Sequence, residues 1–414
     1  MASKSKQQRL KQAQKKETAT LAVVISIIGA ALALAQNKYG QFSDIRGFYG
    51  MHFADGLHHW PFSTHTLQGS TESIHPVEYP ALTGLVMWFL SFFVKPSQLA
   101  FVDYYHLTAI CHIGLFAGTT YLIQKLSSRK WAIFFALSPA TLYSLNRNWD
   151  IWAIIAMIWA IYLFEKNKKN ASAIVLAVSI ATKFFPLVLL FPIAVISIRR
   201  KKYSEFAKYF AITVGSWILI NLPFALINFR GWSYFYEFNF KRGLGSASVF
   251  EILGILIPGI QFSILSFYIL NLAIFGIVAA FYFLSKKELS LSEASFFTMF
   301  AFILFNKQYS MQYIIWLTAL ALIALSKLNK KHQGAAMITF VAWQVFDLVF
   351  QYSFFQNILT KMGESNGAPI ANPISTNLYG GIGAVRYLLA LGFFVHIGIL
   401  IYREKQAEYN VQGK

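Results

Sequence analysis

The sequence predicts an all-α protein that crosses a membrane many times, with about 10–13 helices, several of them short or broken. Hydrophobic residues make up 56% of the 414 residues, and charged residues only 13%. Six segments are apolar over roughly the 20 residues that a helix needs to cross a bilayer. They are 18–36, 101–123, 206–227, 262–284, 334–352 and 381–402. Continuous apolar runs of this length exclude the alternating pattern of barrel strands.

Basic residues account for the net charge of +19, and they lie in short clusters between the apolar segments. This distribution is typical of cytoplasmic loops and does not indicate a nucleic-acid partner. The clusters are 4–16, 125–130, 166–169, 199–202, 286–287, 327–331 and 403–405. We therefore predict a basic cytoplasmic tail at 1–17, one transmembrane domain at 18–402 and a second cytoplasmic tail at 403–414. Membrane lipid is an expected partner, and the single cysteine, Cys111, allows no disulfide within the chain.

Three long loops then fall on the outer side: 37–77, 228–260 and 353–380. The first loop holds Asp44 and Asp55 and five of the nine histidines, which indicates either chemistry at this loop or a solvated polar surface. Within it, 46–60 is expected to form a short interfacial helix. The aromatic and basic stretch 228–260 suits an interfacial helix, and the Asn-, Gly- and Pro-rich stretch 353–380 suits a mobile loop. Segments 78–94 and 101–123 both look like spans, yet an outer loop at 77 and an inner cluster at 125 require an odd number of crossings. Segment 78–94 is therefore expected to dip into the membrane and return, and the alternative is that the cluster 125–130 lies outside.

Charged residues stand at three junctions between apolar runs that are too short to cross the membrane comfortably. The junctions are Asn146–Asp150, Thr182–Pro186 and Asn306–Ser310, and they hold Arg147, Asp150, Lys183 and Lys307. Charge and irregular backbone at that depth are tolerated where they line an enclosed or wet cavity. We therefore predict that the three junctions meet in one cavity below the first outer loop. The alternative is that tilted helices let each charge reach water separately.

Four stretches together resemble a known family. They are Ser43-Asp44-Ile45-Arg46-Gly47-Phe48-Tyr49, Glu78-Tyr79-Pro80-Ala81-Leu82, Lys183-Phe184-Phe185-Pro186-Leu187, and the run from Asn306 to Trp316. Their order and spacing are similar to those of glycosyltransferase family 87, polytopic mannosyltransferases of the GT-C fold that use polyprenyl-phosphate-mannose. The sequence departs from the family pattern at Ala81, at Met311 and at Asn148-Trp149-Asp150, which leaves the exact sugar and acceptor open.

The resemblance implies an integral membrane glycosyltransferase, a hexosyltransferase and most often a mannosyltransferase. No cofactor is expected, and the histidines lack the spacing of a metal site, which leaves metal dependence open. Its donor would be a polyprenyl-phosphate-linked sugar, its acceptor a lipid or glycan, and its active site would face the outer side of the cell membrane. Asp44 is the expected general base in a single inverting displacement, with Asp55 as the alternative. The expected substrate-binding residues are Arg46, Tyr49, Glu78, Tyr79, Arg147, Asp150, Lys183, Lys307, Gln312 and Tyr313. Glu78 has a second interpretation, as a cap for the helix that begins after it.

A transporter or flippase is the alternative function, because such proteins also have broken helices around buried charge. Transporters are commonly built from two related halves, and no internal repeat is apparent in this sequence. A structural membrane protein would have no use for inward charges at three junctions. Both observations favour the transferase.

Overall fold

The computed structural model describes residues 20–285, 288–367 and 370–412, with side chains as far as 407, and the described part of the chain is all-α. Its 17 α-helices are α1 (Thr20–Gln36), α2 (Asp44–His52), α3 (Ala81–Ser91), α4 (Ala100–Leu126), α5 (Arg129–Ala136), α6 (Pro139–Ser144), α7 (Asp150–Glu165), α8 (Lys169–Thr182), α9 (Leu190–Arg199), α10 (Tyr203–Ile227), α11 (Phe229–Lys241), α12 (Val249–Leu256), α13 (Ile264–Leu284), α14 (Leu291–Leu304), α15 (Tyr313–Lys327), α16 (Lys330–Asn366) and α17 (Thr376–Gln412). A 3₁₀ helix, Phe185–Leu189, precedes α9, and the first loop holds a two-stranded antiparallel hairpin, β1 (His65–Thr66) and β2 (Ser73–Ile74).

Within the described ranges, five helices are long and apolar enough to cross a membrane: α4, α10, α13, α16 and α17. Shorter apolar helices form the predicted broken pairs, α8 with α9 and α14 with α15. The predicted all-α, polytopic class is therefore confirmed. The number of helices exceeds the prediction because short helices form in the loops and because the run 131–145 divides into α5 and α6. Pro139 stands in the first turn of α6, where its missing N–H costs no hydrogen bond.

The buried centre of the molecule is formed by α7, α14 and α15. Every residue of α15 from Tyr313 to Leu325 is buried, so this helix is surrounded by protein on all sides. By contrast, α13 exposes most of its surface although it is the most apolar of the long helices. An apolar helix that is exposed in this way suits contact with lipid.

Ion pairs bring three of the predicted basic clusters, 199–202, 327–331 and 403–405, to one end of the molecule. Lys327 pairs with Glu165 at 3.6 Å, Lys405 with Glu293 at 3.4 Å, and Arg200 with Glu288 at 2.7 Å. The first pair joins the ends of α7 and α15, and the other two connect α17 and the end of α9 to the start of α14. The Ser292 N–H at the start of α14 also donates to Glu165 at 3.1 Å. The side of the membrane that this end faces stays a prediction. The cluster 286–287 and the tail 1–17 lie outside the described residues.

Two predicted segments are different in the structure, and a third is helical. The helix expected over 46–60 is α2, which begins at Asp44 and ends at His52. The loop expected over 353–380 is mostly helical, because α16 continues to Asn366 and α17 begins at Thr376. Polar residues that suggested a loop are buried there, and the side chains of Gln356 and Asn357 donate to the carbonyls of Ala371 and Ile374. The tail predicted at 403–414 continues α17 as far as Gln412.

Segment 78–94 begins and ends beside the first loop. Trp88 Nε1, near the end of α3, donates to the carbonyl of His58 at 2.8 Å. Past the end of α3, Pro96 packs so closely on Gly56 that a Cβ at Gly56 would overlap its ring. This arrangement agrees with the expectation that the segment dips and returns.

Candidate active site

A cavity of about 830 Å³ opens between the first loop, α11 and the three predicted junctions. Helices α7 and α15 begin beside it, and α8 ends beside it. Its charged lining residues are Asp44, Glu72, Glu78, Arg147, Lys183 and Arg242. Among its other lining residues are Phe48, His52, His75, Tyr79, Asn148, Tyr234, Phe235, Phe238, Asn239, Gln308, Tyr309, Gln312 and Tyr313. The three junctions therefore meet at one cavity, as predicted.

Asp44 is held at the cavity by the junction before α7. The Ser43 hydroxyl donates to the carbonyl of Asn146 at 2.7 Å, and the Asp44 backbone N–H donates to that of Arg147 at 2.9 Å. The side-chain amide of Asn148 donates to Asp44 Oδ2 at 2.8 Å. Burial raises the pKa of the Asp44 carboxyl above its usual range, although the Asn148 hydrogen bond opposes that rise. A carboxylate with a raised pKa is a stronger base, so Asp44 suits proton abstraction.

Tyr79 and Lys183 lie next to Asp44. Asn148 Nδ2 also donates to the Tyr79 hydroxyl at 2.7 Å, and the Lys183 ammonium lies 5.2 Å from the centre of the Tyr79 ring. Lys183 pairs with the fully buried Asp150 at 2.7 Å. The other carboxylate oxygen of Asp150 accepts from Trp316 Nε1 at 2.8 Å. The charge of Lys183 is thus balanced by Asp150, which is not itself a lining residue.

Arg147 lies between two aromatic rings at the edge of the cavity. Its guanidinium carbon is 4.6 Å from the centre of the Tyr143 ring and 4.5 Å from that of Phe355. Its Nη1 donates to the carbonyl of Gln41 at 2.7 Å. Burial lowers the pKa of Arg147 from its usual value. These contacts fix the side chain and join the first loop to the junction before α7.

Lys307 joins its own junction to the segment that follows α11. Its ammonium donates to the carbonyls of Asn239 at 2.6 Å and Arg242 at 2.8 Å. Its own carbonyl accepts from the Gly245 N–H at 2.8 Å, and Gln308 Nε2 donates to the Gly243 carbonyl at 3.2 Å. We call these contacts between 307–308 and 239–245 the clasp. The clasp forms one wall of the cavity.

Several predicted residues do not line the cavity. Asp55 Oδ2 accepts from His59 at 2.7 Å and from the backbone of Gln68 at 3.0 Å. Arg46 donates to the carbonyl of Tyr39 at 3.0 Å and stacks on Phe101. The buried ring of Tyr49 packs against Tyr104 with the ring centres 4.9 Å apart. Asp150 and Lys307 likewise do not line the cavity, but each contacts residues that do. By contrast, Asp44, Glu78, Tyr79, Arg147, Lys183, Gln312 and Tyr313 all line the cavity.

Glu78 does not cap α3, so that interpretation was wrong. The helix begins at Ala81 after Pro80, with no side-chain cap and no acidic residue in its first turn. Burial raises the pKa of the Glu78 carboxyl, and the nearby charge of Arg242 opposes that rise. Glu78 therefore belongs to the cavity rather than to the helix.

Sequence reasoning missed Asn148 and Arg242 as site residues. Asn148 appeared only as a departure from a family pattern, yet it contacts both Asp44 and Tyr79. Arg242 was grouped with an aromatic and basic stretch expected at the membrane interface. It lies directly after α11, which ends at Lys241.

Three histidines of the first loop, His52, His59 and His65, cluster near the cavity. The rings of His59 and His65 stack with their centres 4.4 Å apart. Burial lowers the pKa of His52 to about 3, so this imidazole is neutral at ordinary pH. The residues that the structure describes contain no group of His, Cys, Asp and Glu side chains placed to hold a metal ion.

Comparisons with known proteins give a family match and likenesses to solved structures. A family described as ALG3 protein matches residues 63–245, which is less than half of the 414 residues. No curated protein matches the chain. The crystal structure of ArnT from Cupriavidus metallidurans bound to undecaprenyl phosphate aligns with a TM-score of 0.47 and 13% identity, covering 95% of this chain and 78% of that chain. Its apo state aligns with a TM-score of 0.42 and 12% identity, covering 96% and 78%.

Proposed function

We propose that this protein is a membrane glycosyltransferase of the GT-C fold that transfers a sugar, mannose in the first instance, from a polyprenyl-phosphate donor to a lipid or glycan acceptor. The observation that carries the proposal is the Asp44 carboxylate, which has a raised pKa and opens to a cavity that also contains Arg147 and Lys183. The ALG3 match supports it, because that is a family of mannosyltransferases. The matched residues include Tyr79, Asn148 and Lys183 but not Asp44.

The proposed reaction is one in-line displacement at the anomeric carbon. Asp44 accepts the proton of the acceptor hydroxyl while that oxygen forms its bond to the anomeric carbon. The bond from the anomeric carbon to the phosphate oxygen breaks, and the lipid phosphate leaves with the electron pair. A single displacement inverts the anomeric centre, so a β-linked donor gives an α-linked product. Cationic side chains at the cavity stabilise the departing phosphate.

The test is transfer of mannose from polyprenyl-phosphate-mannose to a membrane lipid extract, with the products identified by mass spectrometry. We expect Asp44→Asn to fold and to bind donor, but to lose about 10²–10⁴-fold in turnover, because the amide cannot accept the proton. Asp103→Asn is the matched control, since Asp103 is exposed in the first turn of α4, away from the cavity. Asp55→Asn tests the alternative base.

Full activity in Asp44→Asn together with loss in Asp55→Asn would transfer the role of base to Asp55. A pentose increment in place of a hexose would correct the sugar. A wild-type protein that transfers no sugar, yet moves the lipid across a bilayer, would replace the proposal with the flippase alternative.

A further inference from the structure

The cations predicted to meet the donor phosphate are largely engaged by the protein itself. Lys183 pairs with Asp150, and the Lys307 ammonium donates to two backbone carbonyls. Arg46 lies outside the cavity, and Arg147 is fixed between two rings while it donates to Gln41. An additional phosphate needs a positive group that is not already neutralised or saturated by hydrogen bonds.

Arg242 is the lining residue that fits this need. Across the described residues its guanidinium makes no hydrogen bond and no ion pair, and it rests over the Phe238 ring at 5.4 Å. The side chain is exposed at the cavity, so its donors are open to a ligand. The charge of Arg242 lowers the pKa of Glu78 against the rise caused by burial, but the two side chains form no ion pair in the described structure. A guanidinium binds phosphate through two parallel hydrogen bonds, which suits this group.

The clasp holds Arg242 in place although its side chain is free. Lys307 binds the Arg242 carbonyl directly, and Gln308 binds the next residue, Gly243. Gly245 lies so close to Gln308 that any side chain there would overlap the amide. The backbone around Arg242 is therefore fixed on both sides, which reduces the entropy lost when the guanidinium binds.

The surroundings of Arg242 suit a lipid phosphate. It follows α11, whose aromatic residues Tyr234, Phe235 and Phe238 line the cavity. Aromatic side chains beside a basic residue are typical of the depth at which lipid headgroups lie. A polyprenyl chain could follow these rings while its phosphate meets the guanidinium.

We propose that Arg242 binds the phosphate of the polyprenyl-phosphate lipid and that Lys307 acts as its positioning residue. This inference rests on the proposed transferase function and names the residue that contacts the donor. It leaves Lys183 to balance Asp150 next to Asp44.

The experiment measures binding of sugar-free polyprenyl phosphate to the full chain in nanodiscs of phosphatidylcholine, and transfer from polyprenyl-phosphate-mannose. We expect Arg242→Gln to weaken binding at least about tenfold and to raise the apparent KM for donor, with Arg242→Lys in between. Arg230→Gln is the matched control, because Arg230 is exposed at the other end of α11 and does not line the cavity. Lys307→Met alone should weaken binding of polyprenyl phosphate. Combined with Arg242→Gln it should cause little further loss, because both changes remove the same contact between Arg242 and the phosphate.

If Arg242→Gln binds polyprenyl phosphate as tightly as the wild type does, and the wild type transfers sugar, this inference is overturned and the transferase proposal stays intact. Additive losses in the double variant would overturn the positioning role of Lys307. Nanodiscs that contain phosphatidylglycerol distinguish the headgroup of an ordinary membrane lipid from polyprenyl phosphate as the source of the bound phosphate. If phosphatidylglycerol binding depends on Arg242 and polyprenyl phosphate binding does not, the site is a general headgroup site and the inference fails. A wild type that neither binds polyprenyl phosphate nor transfers sugar would remove the proposed function as well.

Discussion

At the scale of single residues, Asn148 connects two side chains that line the cavity, Asp44 and Tyr79. Its Nδ2 donates to both Asp44 and Tyr79, and its Oδ1 accepts from the backbone N–H of Trp149 at 2.6 Å. Every polar atom of this side chain therefore has a fixed partner. The hydrogen bond to Oδ2 sets the orientation of the Asp44 carboxylate and stabilises its ionised form.

Replacement of Asn148 should shift the pH dependence of transfer. The base acts only when it is ionised, so activity falls as the pH drops through the pKa of Asp44. Asn148→Ala removes a hydrogen bond that lowers this pKa, and we expect the acidic limb of kcat/KM to move about one pH unit higher. The measurement is a pH–rate profile, with Asn170→Ala, exposed at the start of α8, as the control. An acidic limb that stays in place would show that Asn148 does not act on the base.

At the scale of elements, α11 packs against the first loop without space for a side chain at Gly231. A Cβ there would overlap the backbone carbonyl of Phe62, which belongs to the first loop. Gly231 also donates its N–H to the Asn228 side chain, which caps α11. Helix and loop therefore hold each other in position, and together they form the wall that carries Tyr234 and Phe238.

Gly231→Ala should force α11 away from the first loop. Overpacking of this kind typically costs about 1–3 kcal/mol, so we expect a lower thermal unfolding midpoint in detergent. Gly254→Ala in α12 is the matched control, because a Cβ there meets no atom within 4 Å. That change should be neutral or stabilising by up to about 1 kcal/mol, as expected for a helical glycine. Equal midpoints for the two variants would contradict the tight contact.

At the scale of the whole molecule, the clustered charges and the cavity lie at opposite ends of α7 and α15. Clustered basic residues join α7, α9, α15 and α17 at one end, while the first loop lies over the cavity. The positive-inside tendency would place the basic end in the cytoplasm. The cavity would then open on the outer side, where a lipid-linked donor reaches it from the bilayer.

Labelling of introduced cysteines in intact cells tests this orientation. On a Cys111→Ser background, Thr71→Cys lies in the exposed part of the first loop, and Lys168→Cys lies at the basic end. We expect an impermeant maleimide to label position 71 in intact cells and position 168 only after permeabilisation. The reverse pattern would place the cavity in the cytoplasm.

The sequence was most informative where charge interrupts an apolar run. The junctions at Arg147, Lys183 and Lys307 were predicted to meet, because irregular charged backbone needs protein around it, and they do. The helical continuation through Gln356 and Asn357 could not be predicted, since their partners are carbonyls 15 and 17 residues further along the chain, beyond the span of a local helical pattern. The same limit applies to Arg242, whose position depends on hydrogen bonds from Lys307.

The clasp also restricts the number of residues between Asn239 and Arg242. Lys307 reaches two carbonyls, those of Asn239 and Arg242, that are separated by a fixed stretch of backbone. An inserted or deleted residue in that stretch would leave its ammonium able to reach only one of them. This stretch is the last turn of α11, and a side chain from another part of the chain holds it at both ends. Homologues of this protein should therefore differ between positions 239 and 242 by substitution and keep the number of residues there constant.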